Sequence, residues 1–486
     1  MTIELITRSR EPAELIIASH RGPYRREDSG TWVRRINGVF AAMEPLLRGG
    51  GGTWVCWGPG DGTRALERHR EVLVDGSPAF RVHEVLLTDE EARDYYEGFT
   101  TEALWPILFC FPSRLQFSPG LWETYRRVNE RFAQAIARLA APHALVWVQD
   151  FHLMLLPDLL RKLRPDLRLG FFLHTAFPPA DVFGILPWRE ALLEGILGSD
   201  VVGFHIPLYA ANFAQCCERY LDARPLWEET PSGGQPLAPS RTCPALANGS
   251  RVIRLVALGV GASREELDRF TEQPGPRAYA KSLKERMGVE HLLLSAERLD
   301  YVKGPIERIR AMEVLFDRHP EWTGRVTLLQ VAVPSREGID AFERLKDSLY
   351  VEVGRLNSRL GTPTWRPVVN LERALPLEDL VGLYLASDLC LVTPLRDGMN
   401  LVAKEYVLCR RNGAVVLSEF AGAATDLPGA VIVNPFSAES VAEGVHEALT
   451  LRPAERRRRF NSMRRASSEK DLQWWRREFM KQLEQG

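Results

Sequence analysis

The 486-residue sequence has no apolar run of the roughly 20 residues that a membrane-spanning helix needs. Its first residues, MTIELITRSREPAE, also lack the continuous apolar segment of a signal peptide. The net charge is −1, so the chain as a whole has no electrostatic attraction for nucleic acids or membrane surfaces. These absences predict a cytoplasmic protein that binds neither nucleic acid nor membranes.

Cysteine is scarce and shows no metal-binding spacing. The seven cysteines form no C-x-x-C pair, and several lie in apolar, strand-like runs such as WVCW and DLCLV. Free thiols in a reducing compartment are therefore expected instead of disulfides or a zinc site.

Three motifs of nucleotide-dependent enzymes are missing. There is no G-x-x-x-x-G-K-[ST] loop, which argues against an ATPase of the Walker type. The stretch GPGDG at residues 58–62 lacks the third glycine of the dinucleotide fingerprint, which disfavours a dehydrogenase. There is also no Asp-x-Asp, which disfavours glycosyltransferases that hold their diphosphate on a metal ion. We therefore predict neither a metal nor a cofactor.

What the sequence does contain is a series of short apolar runs separated by amphipathic segments of helical length. Eleven runs are predicted strands: AELIIAS, TWVCWG, HALVWVQD, LRLGFFLH, DVVGFH, RLVALGV, HLLLSAERLD, VTLLQVAV, DLCLVTP, AVVLSEF and AVIVNPF. Continuous apolar strands alternating with helices are typical of parallel sheets covered on both faces. A chain of 486 residues is too long for one core. We predict an α/β fold of two Rossmann-like domains facing a deep cleft.

The boundary between the two domains is expected near residue 260. The preceding stretch, residues 222–250, is rich in Pro, Gly and Ser and is interpreted as a long surface excursion. The predicted domains are 1–260 and 261–455, followed by a C-terminal helix over 456–486. That last stretch carries a basic run, but Glu, Leu, Phe and Trp at helical spacing indicate an amphipathic helix instead of an RNA-binding segment.

Polar residues follow the predicted strands where each one ends. They are Ser19-His20-Arg21, Asp150, His174, Arg298, Ser335-Arg336 and Arg396-Asp397. Ligands of open α/β sheets bind beyond the carboxyl ends of the strands, so these groups are expected to converge on a site. Arginine is a poor turn residue and a good reader of phosphate, which favours a functional interpretation.

Two motifs indicate a diphosphate site. SAERLDYVKG places Arg298 and Lys303 across a strand-to-helix connection, where two cations would neutralise a diphosphate that leaves a sugar. TPLRDGMNLVAKEY offers Gly398 and its neighbours at a helix N-terminus, and Glu405 further along could accept both hydroxyls of a ribose. The structural alternative is an exposed cation pair flanking Asp300 and a solvated helix carboxylate. A metal-independent sugar transferase fits these residues best.

These motifs resemble the trehalose-6-phosphate synthase family of retaining, GT-B fold glycosyltransferases. The resemblance spans nearly the whole chain and rests on SAERLDYVKG, FFLHTAFPPADVFGILPWREALL, and TPLRDGMNLVAKEYV followed by LSEFAGAA. In this fold the last helix crosses back to the first domain, and Trp474 and Trp475 suit that packing role. Within the family, HRGPY, EALWPILFCFP, ILPWREA and GFHIPLYAANF resemble the glucosylglycerol-phosphate-forming members most. This finer resemblance implies glucose transfer from a nucleotide-glucose, expected to be ADP-glucose, to glycerol 3-phosphate for osmoprotection.

The resemblance also implies roles for individual residues. The catalytic set is Arg298, Lys303, His174 and Asp397, with His174 facing the donor sugar. The donor-binding set is Gly38, Gly398, Met399, Asn400, Leu401 and Glu405, although Asn37 departs from the family's Gly-Gly loop. The acceptor-binding set is Arg21, Trp54, Tyr96, Trp105, Asp150 and Arg336. Asp150 is expected to position the acceptor instead of acting as a general base.

Two other functions stay open. One is a trehalose-6-phosphate synthase with a sugar-phosphate acceptor, for which Arg336 is the best support. The other is a non-catalytic homologue that binds a sugar nucleotide, against which the intact set of Arg298, Lys303, Asp397 and Glu405 argues. The base of the donor nucleotide is not determined, and a homo-oligomer is compatible with the sequence.

Overall fold

The computed structural model describes residues 3–5, 12–26, 32–34, 43–48, 52–59, 69–74, 79–229, 237–336 and 338–485. These residues form two compact units. The first contains the described residues up to Glu229, then Ala238–Leu258, and the chain from Trp475 onward. The second contains Gly259–Trp474 and Leu237. Both units are Rossmann-like, which confirms the predicted fold class.

The first unit is built on a sheet of eleven described strands, in the order β1-β6-β7-β5-β2-β8-β9-β10-β13-β12-β11. In this sheet order, seven consecutive strands run parallel: β7, β5, β2, β8, β9, β10 and β13. The strands at the two edges, β1 and β6 on one side and β12 and β11 on the other, pair antiparallel. A separate ribbon pairs β3 with β4. The strands are β1 Ile3–Leu5, β2 Ala13–Arg21, β3 Tyr24–Arg26, β4 Trp32–Arg34, β5 Thr53–Pro59, β6 His69–Val74, β7 Phe80–Leu87, β8 Ala140–Gln149, β9 Arg168–Phe172, β10 Val201–Phe204, β11 Arg224–Glu229, β12 Arg241–Asn248 and β13 Arg251–Ala257.

Helices of the first unit follow the parallel strands, as a sheet with both faces covered requires. They are α1 over 43–48, α2 Asp89–Ala92, a π-helical segment Arg93–Leu104, α3 Trp105–Leu108, α4 Pro119–Leu139, α5 Leu156–Leu163, α6 Ala180–Phe183, α7 Arg189–Leu197 and α8 Pro207–Tyr220. Thr88 and Glu91 form a capping box that starts α2.

The second unit is a six-stranded, all-parallel sheet in the order β16-β15-β14-β17-β18-β19. Its strands are β14 His291–Arg298, β15 Val326–Val333, β16 Val368–Leu371, β17 Leu389–Val392, β18 Ala414–Ser418 and β19 Val431–Val433. Its helices are α9 Arg264–Thr271, α10 Pro274–Met287, α11 Pro305–Arg318, α12 Asp340–Leu360, α13 Leu377–Ala386, α14 Leu401–Cys409, α15 Ala438–Thr450 and α16 Pro453–Glu469. Leu293, Leu328 and Val416 form its buried core with Ile309 and Val445.

The predicted C-terminal helix is two helices. The first, α16, ends at Glu469 in the second unit, and α17, Leu472–Gln485, follows it. From Trp475 onward α17 belongs to the first unit, where the rings of Trp475 and Phe479 pack on Trp147 at 5.3 Å and 4.4 Å. The predicted return of the chain to the first domain is therefore confirmed for Trp475, whereas Trp474 is half-buried in the second unit.

All eleven predicted strands are present. Residues 222–250 differ from the prediction, because they include β11 and β12, which extend the sheet of the first unit, instead of a surface excursion alone. All seven cysteines are free thiols, and six of them are buried. In the described part of the chain, no helix combines the length and the apolar character needed to cross a membrane.

Candidate active site

The end of β14 turns directly into α11. The turn Tyr301–Lys303 is closed by the buried side chain of Asp300, whose Oδ1 accepts a hydrogen bond from the backbone N–H of Val302 at 3.2 Å. Gly304 follows with φ +63°, and a Cβ there would lie 3.0 Å from the carbonyl oxygen of Thr393. Only glycine combines this backbone conformation with so close an approach. The turn thereby holds Lys303 beyond the carboxyl end of the sheet.

Lys303 meets the second predicted motif at Asp397. Its Nζ lies 2.5 Å from Asp397 Oδ2, and both side chains are mostly buried. Asn400 Nδ2 donates to the same oxygen at 3.0 Å, and Asn400 Oδ1 caps α14 by accepting from the N–H of Ala403 at 3.3 Å. The structure therefore joins residues 94 positions apart at the start of one helix.

The loop that precedes α14 is fixed by backbone contacts. Gly422 N–H donates to the carbonyl of Asp397 at 3.2 Å, and Ala423 N–H donates to the carbonyl of Met399 at 2.7 Å. A Cβ on Gly422 would lie 2.1 Å from the carbonyl oxygen of Gly398, so no larger residue fits without moving the loop. The N-terminus of α14, at Leu401, consequently stands beside Lys303 and Asp397, and a helix N-terminus attracts anions.

Glu405 lies one turn into α14. The hydroxyl of Tyr384 donates to Glu405 Oε2 at 2.7 Å. Burial raises the pKa of Glu405 above its ordinary value of 4.5, and the Tyr384 hydrogen bond opposes that rise. This carboxyl group is therefore a hydrogen-bond acceptor that Tyr384 orients one turn into the helix, and not a solvated surface group.

Arg308 connects the parts of this site and was missed by the sequence analysis. It is 0% exposed and donates to the side chains of Thr393 at 3.1 Å and Gln330 at 2.9 Å, and to the backbone carbonyl of Lys303 at 2.9 Å. Its fourth partner is Glu297, at 2.5 Å. The only sequence signal was the run IERIRAM, where an arginine lies on the inner face of a helix.

Burial raises the pKa of Glu297, and the positive charges of Arg308 and Lys303 oppose that rise. Arg308 thus forms an ion pair with a buried carboxylate. Its hydrogen bonds also connect β14, β15 and the residue after β17 to the turn that contains Lys303. A buried pair of this kind is costly to break, because either partner alone leaves an uncompensated charge.

Two predicted arginines of the second unit have contrasting positions. Arg298 ends β14 with an exposed side chain. Arg336, which has φ +54°, is only 3% exposed, and its Nη1 donates to Asp300 Oδ2 at 2.9 Å. Arg336 therefore supports the turn that carries Lys303.

In the first unit, Asp150 and His174 lie together at the ends of the neighbouring strands β8 and β9. Asp150 has φ +71°, a conformation that is rare outside glycine and that concentrates at functional sites. Its Oδ1 accepts from the backbone N–H of His174 at 3.1 Å. The His174 ring nitrogen Nε2 lies 2.8 Å from Gln149 Oε1. Burial lowers the pKa of His174 well below its ordinary value, and His205 adds to this effect, so the imidazole is neutral.

The end of β2 forms an aromatic stack. The His20 ring lies parallel to the rings of Trp57, Tyr96 and His152 at 5.2, 4.8 and 4.4 Å. The exposed guanidinium of Arg21 stands 5.1 Å above the Tyr96 ring. The structure thus joins the predicted Arg21 and Tyr96 with His20, which the sequence analysis named as a strand-end residue, and adds Trp57 and His152, which it did not name.

Two predicted acceptor residues are placed differently from the expectation. Trp54 is 0% exposed, and its indole N–H donates to Ser19 Oγ at 2.7 Å, so it supports the end of β2 from the core. Trp105 is buried against the rings of Phe109 and Phe151 at 4.3 and 5.7 Å. Gly38 lies outside the described residues.

The chain is similar to known proteins along nearly its whole length. The model of glycosyltransferase family 20 matches residues 12–485. A trehalose-6-phosphate synthase of Mycolicibacterium vanbaalenii is 39% identical over 97% of this chain and 96% of its own length. The solved trehalose-6-phosphate synthase of E. coli bound with UDP-2-fluoro glucose has TM-score 0.85 and 30% identity over 97% of this chain and 99% of its own. The UDP-forming α,α-trehalose-phosphate synthase of Burkholderia xenovorans in complex with glucose-6-phosphate has TM-score 0.84 and 30% identity over 97% and 100%.

These similarities confirm the GT-B fold and overturn the finer resemblance. The prediction of a glucosylglycerol-phosphate-forming enzyme acting on glycerol 3-phosphate for osmoprotection is wrong, because the relatives are trehalose-6-phosphate synthases along nearly their whole length. The structure gives a physical reason. EALWPILFCFP and GFHIPLYAANF supply core side chains such as Leu104, Ile107, Phe204 and Phe213, so much of the finer resemblance rests on residues that pack the core.

Proposed function

The chain belongs to glycosyltransferase family 20, and from this premise we propose that it transfers glucose from UDP-glucose to glucose 6-phosphate with retention of configuration, forming trehalose 6-phosphate. The observation that carries the proposal is the assembly of Lys303, Asp397 and Asn400 at the N-terminus of α14. UDP-glucose and glucose 6-phosphate are supported by the ligands named for the two solved relatives.

On the donor side, Arg298 and Lys303 neutralise the diphosphate together with the N–H groups that start α14. The diphosphate gains negative charge as its bond to the glucose C1 breaks, so these groups stabilise the transition state more than the bound donor. Asp397 holds the Lys303 ammonium in place at 2.5 Å. Glu405, oriented by Tyr384, accepts hydrogen bonds from the ribose hydroxyls. Backbone groups of Gly398, Met399 and Leu401 complete the contacts to glucose and phosphate.

On the acceptor side, Arg21 binds the phosphate of glucose 6-phosphate, and Tyr96 fixes the guanidinium through its ring face. Asp150 accepts a hydrogen bond from an acceptor hydroxyl and positions it. The neutral His174 hydrogen-bonds the glucose without placing a positive charge beside a reacting carbon that itself becomes positive. Asp300 orients Arg336 through Nη1, and Trp54 supports the acceptor side through Ser19 without a direct contact.

The chemical step breaks the bond between glucose C1 and the diphosphate oxygen. A bond from C1 to the acceptor hydroxyl oxygen forms on the same face, and the hydroxyl proton passes to the departing diphosphate. No protein nucleophile is required, so the residues above contribute positioning and electrostatic stabilisation.

A donor and acceptor matrix tests the proposal. UDP-, ADP- and GDP-glucose are each combined with glucose 6-phosphate and with glycerol 3-phosphate, and the released nucleoside diphosphate is measured. We expect release with UDP-glucose and glucose 6-phosphate. Release of nucleoside diphosphate only with glycerol 3-phosphate would contradict glucose 6-phosphate as the acceptor. If no pair gives release that depends on the acceptor, the protein is better explained as a non-catalytic homologue. The double variant Arg298→Ala/Lys303→Ala serves as the inactive control.

A further inference from the structure

A second candidate site lies in the second unit, at the end of α14 opposite to Asn400. It is a cavity of about 670 Å³ between the C-terminal ends of α13 and α14 and the helices α9, α10 and α16. Small-molecule sites typically measure about 300–1,000 Å³. Leu385, Leu408 and Cys409 supply its apolar lining. Its size therefore suits a molecule as large as a sugar phosphate or a nucleotide.

The cavity is strongly basic. Among the described residues that line it, Asp268 and Glu272 are the acidic ones, whereas five are arginines: Arg264, Arg277, Arg410, Arg411 and Arg464. The lining thus carries an excess of three positive charges in a chain whose net charge is −1. An adjoining cavity of about 560 Å³ shares Arg277 and Arg410 and adds Lys281, Lys284 and Glu285, and Lys284 pairs with Asp388 at 2.8 Å. Such a local field attracts anions.

The guanidinium groups keep donors for a ligand. The guanidinium groups of Arg411 and Arg464 make no hydrogen bond or ion pair with any group that the structure describes. Arg277 uses its Nε on the carbonyl of Thr271 at 2.9 Å, and Arg410 uses its Nε on the carbonyl of Asn412 at 2.8 Å. Each guanidinium has five N–H donors, so most of them stay unused by these contacts.

A structural explanation accounts for only part of this cluster. Helix C-termini attract cations, and Arg410 also donates to the carbonyl of Leu385 at the end of α13. Capping thus explains Arg410, but it does not explain Arg411 or Arg464, whose guanidinium groups donate to no carbonyl among the described residues. Like charges gathered around one cavity repel each other, and a phosphate group would relieve this repulsion through bidentate hydrogen bonds.

We propose that this cavity binds a small phosphorylated metabolite and that its occupancy changes the affinity for the donor. Two elements connect the sites. The helix α14 spans about 12 Å from the donor-side Leu401 to Cys409 in the cavity wall. In α13, Leu385 lines the cavity and its neighbour Tyr384 holds Glu405. The regulatory part rests on the proposed transferase function, whereas the binding part does not.

Binding is tested by calorimetric titration of pyrophosphate into the full-length protein. The variant Arg298→Ala/Lys303→Ala provides a background in which the donor-side cations are absent. In that background we expect Arg411→Ala/Arg464→Ala to weaken pyrophosphate binding at least about tenfold, as the loss of charged hydrogen bonds implies. A matched control, Arg344→Ala/Arg366→Ala, removes two exposed arginines of the same unit that lie outside the cavity. Equal affinity in the test and control variants overturns the site.

Regulation is tested by the ratio of donor KM values with and without pyrophosphate. Pyrophosphate also competes with the donor for the donor site. This competition is the same in the wild type and in the cavity variant, because both keep Arg298 and Lys303. We expect the ratio to differ about fivefold between the wild type and Arg411→Ala/Arg464→Ala, a common size for coupling between sites. Equal ratios overturn the regulatory part. A protein without any turnover overturns the proposed function and the regulation with it, while the titration alone decides the binding site.

Discussion

Lys303 and Asp397 form an ion pair of 2.5 Å between the turn after β14 and the loop before α14. The two side chains come from the two motifs that the sequence analysis singled out, and Asn400 shares the same carboxylate oxygen. The pair places a cation at a helix N-terminus, and in the proposed reaction the leaving diphosphate would be stabilised both by the ammonium and by the helix N–H groups.

The first prediction concerns this pair. Lys303→Met removes the ammonium, and we expect kcat to fall about 10²–10³-fold, as for the loss of one donor to a developing anion. Asp397→Asn keeps the ammonium but removes its charged partner, so a smaller loss is expected. Steady-state kinetics with both substrates measure which of the two variants loses more kcat. A larger loss in Asp397→Asn than in Lys303→Met would contradict the assigned roles.

The second prediction concerns pH and Glu405. Because burial raises the pKa of Glu405, the carboxylate takes up its proton at a higher pH than its ordinary value of 4.5. Donor KM should therefore rise as pH falls through this elevated pKa, since a protonated carboxyl loses acceptor capacity for a ribose hydroxyl. Tyr384→Phe removes a hydrogen bond that lowers this pKa, so the rise should begin at higher pH. Glu405→Gln should abolish the rise. A profile of donor KM that is identical in all three forms would refute the assignment.

The third prediction concerns Asp150. If this residue positions the acceptor, Asp150→Asn should raise the acceptor KM strongly and leave residual turnover. Loss of kcat with an unchanged acceptor KM would instead indicate a general base. Asp166→Asn is the matched control, because Asp166 pairs with Arg164 on the same unit without contacting the predicted site residues.

The fourth prediction concerns the buried pair of Arg308 and Glu297. Arg308→Met leaves the Glu297 carboxyl buried without its cation, and we expect a loss of about 3–5 kcal/mol in the free energy of unfolding. Arg308→Met/Glu297→Gln removes both charges and should recover part of this loss. Denaturant unfolding measures both variants. If the double variant is no more stable than the single one, the uncompensated charge is not the cause.

The fold was largely predictable because its signals are local. Each of the eleven predicted strands is a continuous apolar run, and the parallel arrangement follows from their alternation with helices. The strands that were missed, such as β6, β11 and β12, lie towards the edges of the sheet in segments with polar residues or proline. Their pairing depends on neighbours distant in sequence, which local patterns do not report.

The candidate site was predictable where its residues share a motif. Arg298, Lys303, Asp397 and Glu405 lie in two short stretches; the structure brings Lys303 and Asp397 into contact, and the roles of all four stay predictions. Contacts across the fold were not predictable. Trp54 is a core residue below Ser19, Arg336 is held by Asp300, and the four partners of Arg308 come from separate elements. The acceptor was misassigned in part because two of the segments used to choose it, EALWPILFCFP and GFHIPLYAANF, supply core side chains.

The central claim is glucose transfer to glucose 6-phosphate with retention. The most direct measurement is a proton NMR spectrum of the product formed from UDP-glucose and glucose 6-phosphate by the wild-type protein. We expect a non-reducing disaccharide phosphate in which both anomeric protons show the small coupling of α linkages, formed in equal amount with UDP. A β-linked product, or UDP release without any disaccharide phosphate, would contradict it.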